Sequence, residues 1–237
     1  MLTIMTLQPA NPPPFTAIFD WDGVVIDSAA AHRESWERLA RELGRQFPAG
    51  WWEKTFGRKN TEIISEVLDW AREPAEITEL SDRKEVCYRD IIRKRGVQPL
   101  PGVREWLAVL AAAGIPCGIG SSTARANIDL SLEFVGVAAA FQAIVTAEDV
   151  TQGKPAPDVF LTVATRLGAS PERCVVFEDA LAGLEAARRA GMVRVGVATT
   201  HPPEMLAPHA DFVVRRLDEL SVAQLAAAVA ARASKIV

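Results

Sequence analysis

Phe15-Thr-Ala-Ile-Phe-Asp20-Trp-Asp-Gly-Val24 is the stretch that decides the fold. Residues 15–19 form a short apolar run of the strand type. Asp20-Trp-Asp follows, and Gly23 permits the tight turn that ends the strand.

Beyond this strand the pattern changes. Over residues 28–96 apolar positions recur at helical spacing, as at Trp36, Leu39, Ala40 and Leu43, with Gly44 as a stop. Ile63, Ile64, Val67 and Leu68 open a second amphipathic stretch, with Asn60 as its expected cap and Pro74 as its interruption. Residues 86–92 belong to a third helix. No strand is expected here, so the segment reads as an all-helical insert.

From residue 97 onward the chain alternates. Helices are expected over 103–113, 123–134, 157–167, 181–190 and 222–231. Strands are expected over 115–120, 143–146, 174–177, 193–197 and 212–214. Alternation of this kind predicts right-handed crossovers and a parallel sheet covered on both faces. The expectation is an α/β fold: a parallel-sheet, Rossmann-like core (15–27 and 97–237) with an inserted helical cap (28–96) and an extended lead-in (1–14).

Ligands of such sheets bind beyond the carboxyl ends of the strands. Four polar groups stand at those ends: Asp20 with Asp22, Ser121 with Ser122, Lys154, and Glu178 with Asp179. Singly, each has an ordinary explanation as a turn, a cap or a solvated charge. Together they gather four carboxylates and one ammonium at one edge, which calls for a hard divalent cation; magnesium suits few carboxylates plus a substrate phosphate. The set matches phosphoryl transfer. Asp20 can serve as nucleophile and metal ligand, and Asp22 as general acid and base. Ser121 can hold phosphate oxygens at a helix N-terminus, and Lys154 can neutralise charge. Asp179 can complete the metal site with Glu178 beside it or behind it.

The rest of the composition narrows the field. With 49% hydrophobic and 24% charged residues among 237, a packed core is affordable and disorder is not expected. A net charge of -4 without basic blocks argues against nucleic acid or an anionic membrane as partner. No apolar run approaches the roughly 20 residues of a membrane span, and the first residues make a poor signal peptide. Cys87, Cys117 and Cys174 are odd in number and widely spaced, which fits a reducing, cytoplasmic setting. A monomer is expected.

Asp20-Trp-Asp-Gly-Val24, Ser121, Gly153-Lys-Pro-Ala-Pro-Asp158 and Glu178-Asp179 resemble the four motifs of the haloacid dehalogenase-like hydrolase superfamily. The resemblance runs from about Phe15 to the end and is nearest to the helical-cap branch that holds β-phosphoglucomutase and many small phosphatases. It implies Mg2+, an aspartyl-phosphate on Asp20, and metal contacts from Asp20, Asp179 and the backbone carbonyl of Asp22. Dehalogenases and phosphonatases of the superfamily lack an aspartate at the position of Asp22, so its presence favours phosphate esters.

The same resemblance places His32 near Asp22 and matches Lys84 to a cap lysine facing the site in the mutases. Further substrate readers are Ser122, Arg58, Lys59 and Asn60. Trp36 and the Trp51-Trp52 pair are expected to pack inside the cap. Phosphoglucomutases usually carry arginine three residues after the glycine matched by Gly57; here that residue is Asn60. The expectation is therefore a phosphatase acting on a small phosphorylated metabolite, a sugar phosphate above all. A β-phosphoglucomutase-like phosphotransferase and a low-turnover phosphate-ligand binder are the alternatives.

Overall fold

The computed structural model describes residues 13–234. The expected lead-in over 1–14 lies almost wholly outside the described residues; Pro13 is held through its carbonyl, which accepts from Arg173 at 2.6 Å.

Six strands form one parallel sheet: β1 (Thr16–Phe19), β2 (Cys117–Gly120), β3 (Ala143–Val145), β4 (Cys174–Glu178), β5 (Val193–Val197) and β6 (Phe212–Val214). Their spatial order is β3-β2-β1-β4-β5-β6. The chain reverses direction across the sheet between β1 and β4, and ligands of open α/β sheets bind at such a switch point.

The helices are α1 (Ala29–Leu43), α2 (Asn60–Glu62), α3 (Pro74–Arg95), α4 (Val103–Ala112), α5 (Arg125–Val135), α6 (Asp158–Arg166), α7 (Leu181–Arg189), α8 (Pro203–Leu206) and α9 (Val222–Ala233). Strand side chains alternate between two cores. Ala17, Phe19, Val175 and Phe177 join Trp106 of α4, Ile128 of α5 and Leu225 of α9 on one face. Ile18 and Val176 join Phe160 and Val163 of α6 and Ala187 of α7 on the other. Both faces are dry, which is why the strands read as apolar runs rather than alternations. Gly118 brings α6 close to β2, since a methyl group there would stand 2.5 Å from Val163.

Residues 28–96 are helical, with no strand among the described residues. A third apolar cluster holds Trp36, Leu39, Trp51, Ile64, Trp70 and Leu80. The far end of α3 is different: Tyr88, Ile91 and Ile92 belong to the main core. The two chain crossings are tied together, Asp27 N–H donating to Gln98 O at 3.2 Å and Leu100 N–H to Val25 O at 3.0 Å.

Three local expectations are corrected. Asn60 is the first residue of α2 and makes no cap hydrogen bond; Lys59 holds the cap position. Pro74 starts α3 rather than breaking a helix, because proline at the first helical position loses no hydrogen bond. The break falls at Asp69, the described non-glycine residue with positive φ, at 52°. Helix α5 begins at Arg125, two residues later than expected and four beyond Ser121, so Ser121 lies in the loop before the helix.

Candidate active site

The site grows from the carboxyl end of β1. Asp20 N–H donates to Phe177 O at 2.9 Å, prolonging the β1–β4 ladder by one residue at the switch point. Trp21 turns inward and donates from Nε1 to Ser131 Oγ at 2.9 Å. The chain then curls back, Val25 and Ile26 N–H both reaching Trp21 O. Gly23 makes this possible: its φ is +77°, and a methyl group there would stand 2.8 Å from Asp179 Cγ.

Lys154 lies beneath this turn, fully buried. Its Nζ donates to Asp20 Oδ1 at 2.7 Å and to Glu178 Oε1 at 2.6 Å. Burial would lower its pKa, but the two carboxylates overcome this and hold it above the ordinary lysine range. Glu178 is engaged at both oxygens, since Oε2 accepts Ala180 N–H at 2.7 Å. Asp179 accepts a hydrogen bond from Thr200 Oγ1.

Asp20, Glu178 and Asp179 each offer a carboxylate oxygen, all within 4.8 Å of one another. One ammonium does not balance three buried carboxylates. Burial raises Asp20 to about 7, with Glu178 and Asp22 adding to the rise and Lys154 opposing it. Burial, then Glu178 and Asp20, raise Asp179 well above the carboxylate range. An all-oxygen donor set with excess negative charge fits a hard divalent cation of the magnesium kind.

Asp22 points to the cap side. Its Oδ1 accepts from Ser28 Oγ and from His32 Nε2 at 3.0 Å. Lys84 Nζ donates to His32 Nδ1 at 2.8 Å, which assigns the proton of a neutral His32 to Nε2. Lys84 also donates to Glu85 Oε1 at 2.9 Å, and Glu85 accepts from Asn60 and Asn127. Burial would raise Asp22, but His32, Ser28 and Lys84 outweigh it and lower the group to about 2. Two aspartates two residues apart thus sit at opposite ends of the carboxylate range.

Above the carboxylates opens a cavity of about 710 Å³, counting its mouth. Asp20, Asp22, Asp179, Ser121, Ser122, His32, Arg58, Asn60 and Lys84 all border it. Ser121 is buried, its Oγ accepting Thr123 N–H at 3.1 Å. Several expected readers are already engaged. Ser122 Oγ donates to Gly57 O at 2.8 Å. Lys59 does not border the cavity: its Nζ donates to Ala147 O at 2.7 Å and Val150 O at 2.6 Å, joining the insert to the loop after β3. Arg58 pairs with Glu62 and Glu66. Trp36 is core, as expected, with one edge on the cavity, and Trp51 packs inside the cap. Trp52 packs against the same cluster, as expected, and also borders the cavity.

Glu85 and Thr200 were not anticipated from sequence. Thr200 follows β5, so the rule that singled out polar residues after strands would have reached it had it been carried one strand further. Glu85 carried no signal, being one of many charges on a polar helix.

This fold and site define a class. Residues 16–191 match the family model for the haloacid dehalogenase-like hydrolases, and the chain belongs to that family. It is similar to the Arabidopsis thaliana chloroplastic 5-amino-6-(5-phospho-D-ribitylamino)uracil phosphatase, 38% identical over 88% of this chain; the match spans only 56% of that protein's length. It is also similar to the β-phosphoglucomutase of Bacillus subtilis, 35% identical over 86% of this chain and 91% of that one. Among solved structures, β-phosphoglucomutase from Clostridium difficile superposes with a TM-score of 0.80 at 26% identity, covering 91% of this chain and 97% of that one. No described helix is long and apolar enough to cross a membrane.

Proposed function

We propose that this chain is a Mg2+-dependent phosphatase of small phosphorylated metabolites, sugar phosphates above all, working through an aspartyl-phosphate on Asp20. The observation that carries this reading is the divergence of Asp20 and Asp22. Asp20 is clamped by Lys154 facing the carboxylate cluster, while Asp22 is turned toward His32 and Ser28.

In this reading Asp20, Asp179 and the backbone carbonyl of Asp22 hold the magnesium ion, which when bound supplies neutralisation of the phosphoryl oxygens. Glu178, spent on Lys154 and Ala180, positions the lysine. Asp20 Oδ attacks phosphorus, the bond to the leaving oxygen breaks, and Asp22 gives that oxygen a proton. A bound phosphate dianion beside Asp22 raises its proton affinity and makes this donation possible. Water then attacks the aspartyl-phosphate, Asp22 takes its proton, and inorganic phosphate leaves. Ser121 and Lys154 hold the phosphoryl oxygens.

The mutase reading is the runner-up, supported by the similarity to β-phosphoglucomutases. A mutase must anchor the second phosphate of a bisphosphate in the cap. Asn60 holds the corresponding position here and is neutral, its amide donating to Glu85 and Ser81. The deciding experiment is a coupled assay on β-glucose 1-phosphate with a bisphosphate primer, run beside phosphate detection on a panel of phosphorylated metabolites. Phosphate release should dominate. Glucose 6-phosphate forming much faster than free phosphate would hand the case to the mutase, and binding without turnover across the panel would favour a phosphate-ligand binder.

A further inference from the structure

The polar capacity of the cap wall is largely spent on the cap itself. Lys84 donates to Glu85 and His32, and the Arg58 guanidinium lies against Glu62 and Glu66. The Asn60 amide donates to Glu85 and Ser81. Both cations bordering the cavity from this side therefore arrive already matched by carboxylates.

Besides the edge of Trp36, two aromatic rings complete that wall. Trp52 and Phe56 border the cavity, are only partly buried, and meet edge to face at 5.2 Å and 75°. They have firm backing. Trp52 stands edge-on to Trp51 at 5.3 Å, and Trp51 stacks on Phe47 at 3.9 Å. On the other side Phe56 meets His201 edge-on at 5.6 Å, so the row of rings reaches from the cap core to the loop after β5. A cap that excluded water for its own sake could use aliphatic side chains. Two supported aromatic rings beside a phosphate site suit a flat, neutral partner.

We infer that Trp52 and Phe56 form the leaving-group subsite, and that the preferred substrate is a monoester whose leaving group presents a flat ring face and carries no second anionic group. This rests on the phosphatase reading above. A second phosphate would meet cations already neutralised by Glu85, Glu62 and Glu66. The ring can be heteroaromatic or a sugar ring stacked through its C–H face, and the test separates the two sources.

The test measures kcat/KM for phosphate release with Mg2+ on riboflavin 5'-phosphate, glucose 6-phosphate, glycerol 3-phosphate and glucose 1,6-bisphosphate. The proteins are wild type, Trp52→Ala, Phe56→Ala and Trp52→Leu, the last keeping apolar bulk without the π face. At least one ring monoester should exceed glycerol 3-phosphate and the bisphosphate by about tenfold. Each substitution should cut the ratio to glycerol 3-phosphate severalfold, and the better of the two ring esters names the source. Ratios near one, preference for the bisphosphate, or ratios unchanged in all three variants would overturn the inference. If folded wild type releases phosphate from no ester, the phosphatase reading fails instead. Calorimetric binding of riboflavin 5'-phosphate, glucose 6-phosphate and glycerol 3-phosphate to Asp20→Asn protein then decides the subsite by the same ratios.

Discussion

Glu178 and Gly183 compete for one volume: a methyl group on Gly183 would stand 2.6 Å from Glu178 Cγ and nearer still to its carboxylate. Gly183 is the third residue of α7, where alanine would ordinarily favour the helix by about 1 kcal/mol. Here the crowded side chain is fully buried and holds Lys154 and Ala180, so it cannot swing away. Overpacking of this kind costs about 1–3 kcal/mol before the lost hydrogen bonds are counted. Gly183→Ala should therefore lower Tm and cut phosphatase turnover at least tenfold. A Tm at or above wild type would show that Glu178 relaxes freely.

Asp20→Asn should leave the fold intact and remove turnover, by roughly a thousandfold or more. The amide keeps the volume, and its oxygen can still accept from Lys154 Nζ. Circular dichroism checks the fold and phosphate release checks the loss. Activity within tenfold of wild type in a clean preparation would reject Asp20 as nucleophile.

Stability should depend on pH and on magnesium together. Asp20, near 3.8 when unfolded, is raised to about 7 in the folded, metal-free protein. A raised carboxyl contributes stability that is whole below pH 3.8 and lost as pH climbs through 7. Asp179 shifts the same way. Asp22, lowered to about 2, loses its contribution only as pH falls below 3.8, outside this window. In chelator, Tm should fall between pH 5 and pH 8, and the rise in Tm on adding Mg2+ should be larger at pH 8. Thermal unfolding at the two pH values reads this directly; a larger magnesium effect at pH 5 would contradict it.

Lys59 should matter for closure of the cap. Its two hydrogen bonds to Ala147 and Val150 carbonyls join the insert to the sheet domain. Lys59→Met keeps the apolar stem and removes the donors. We expect kcat/KM to fall about tenfold. Small-angle scattering with a phosphate analogue should show a wider particle than wild type, with Tm little changed. An unchanged scattering profile would mean that the Ser122–Gly57 contact and the packing at Gly57 suffice.

Much of the site was legible because its parts follow a local rule. Asp20 and Asp22 end β1, Ser121 follows β2, Lys154 lies beyond β3, and Glu178 and Asp179 close β4. A parallel sheet brings all those ends to one edge, so convergence could be argued before any distance was known. The cap resisted the same treatment. Arg58-Lys-Asn60 reads as three candidate readers in a row, yet one pairs with Glu62 and Glu66, one docks on carbonyls near residue 150, and one serves Glu85. Arg58 and Lys59 lie in irregular chain before α2 and Asn60 opens that helix, so no single periodicity relates the three side chains and there was no strand to restore order.

What the sequence determined by itself was therefore the sheet, the edge at which its chemistry gathers, and the identity of the charged groups there. Apolar runs and chain alternation are local signals, and they carry the topology. Only the tertiary structure decided how those charges are spent. It gave Lys154 two carboxylates drawn from separate strands, gave Asp22 a histidine whose tautomer Lys84 sets, and brought Trp52 to the cavity while burying Trp51. The physical reason is that electrostatic and packing partners are chosen by proximity in space. Lys154 and Asp20 are 134 residues apart in the chain and 2.7 Å apart in the fold.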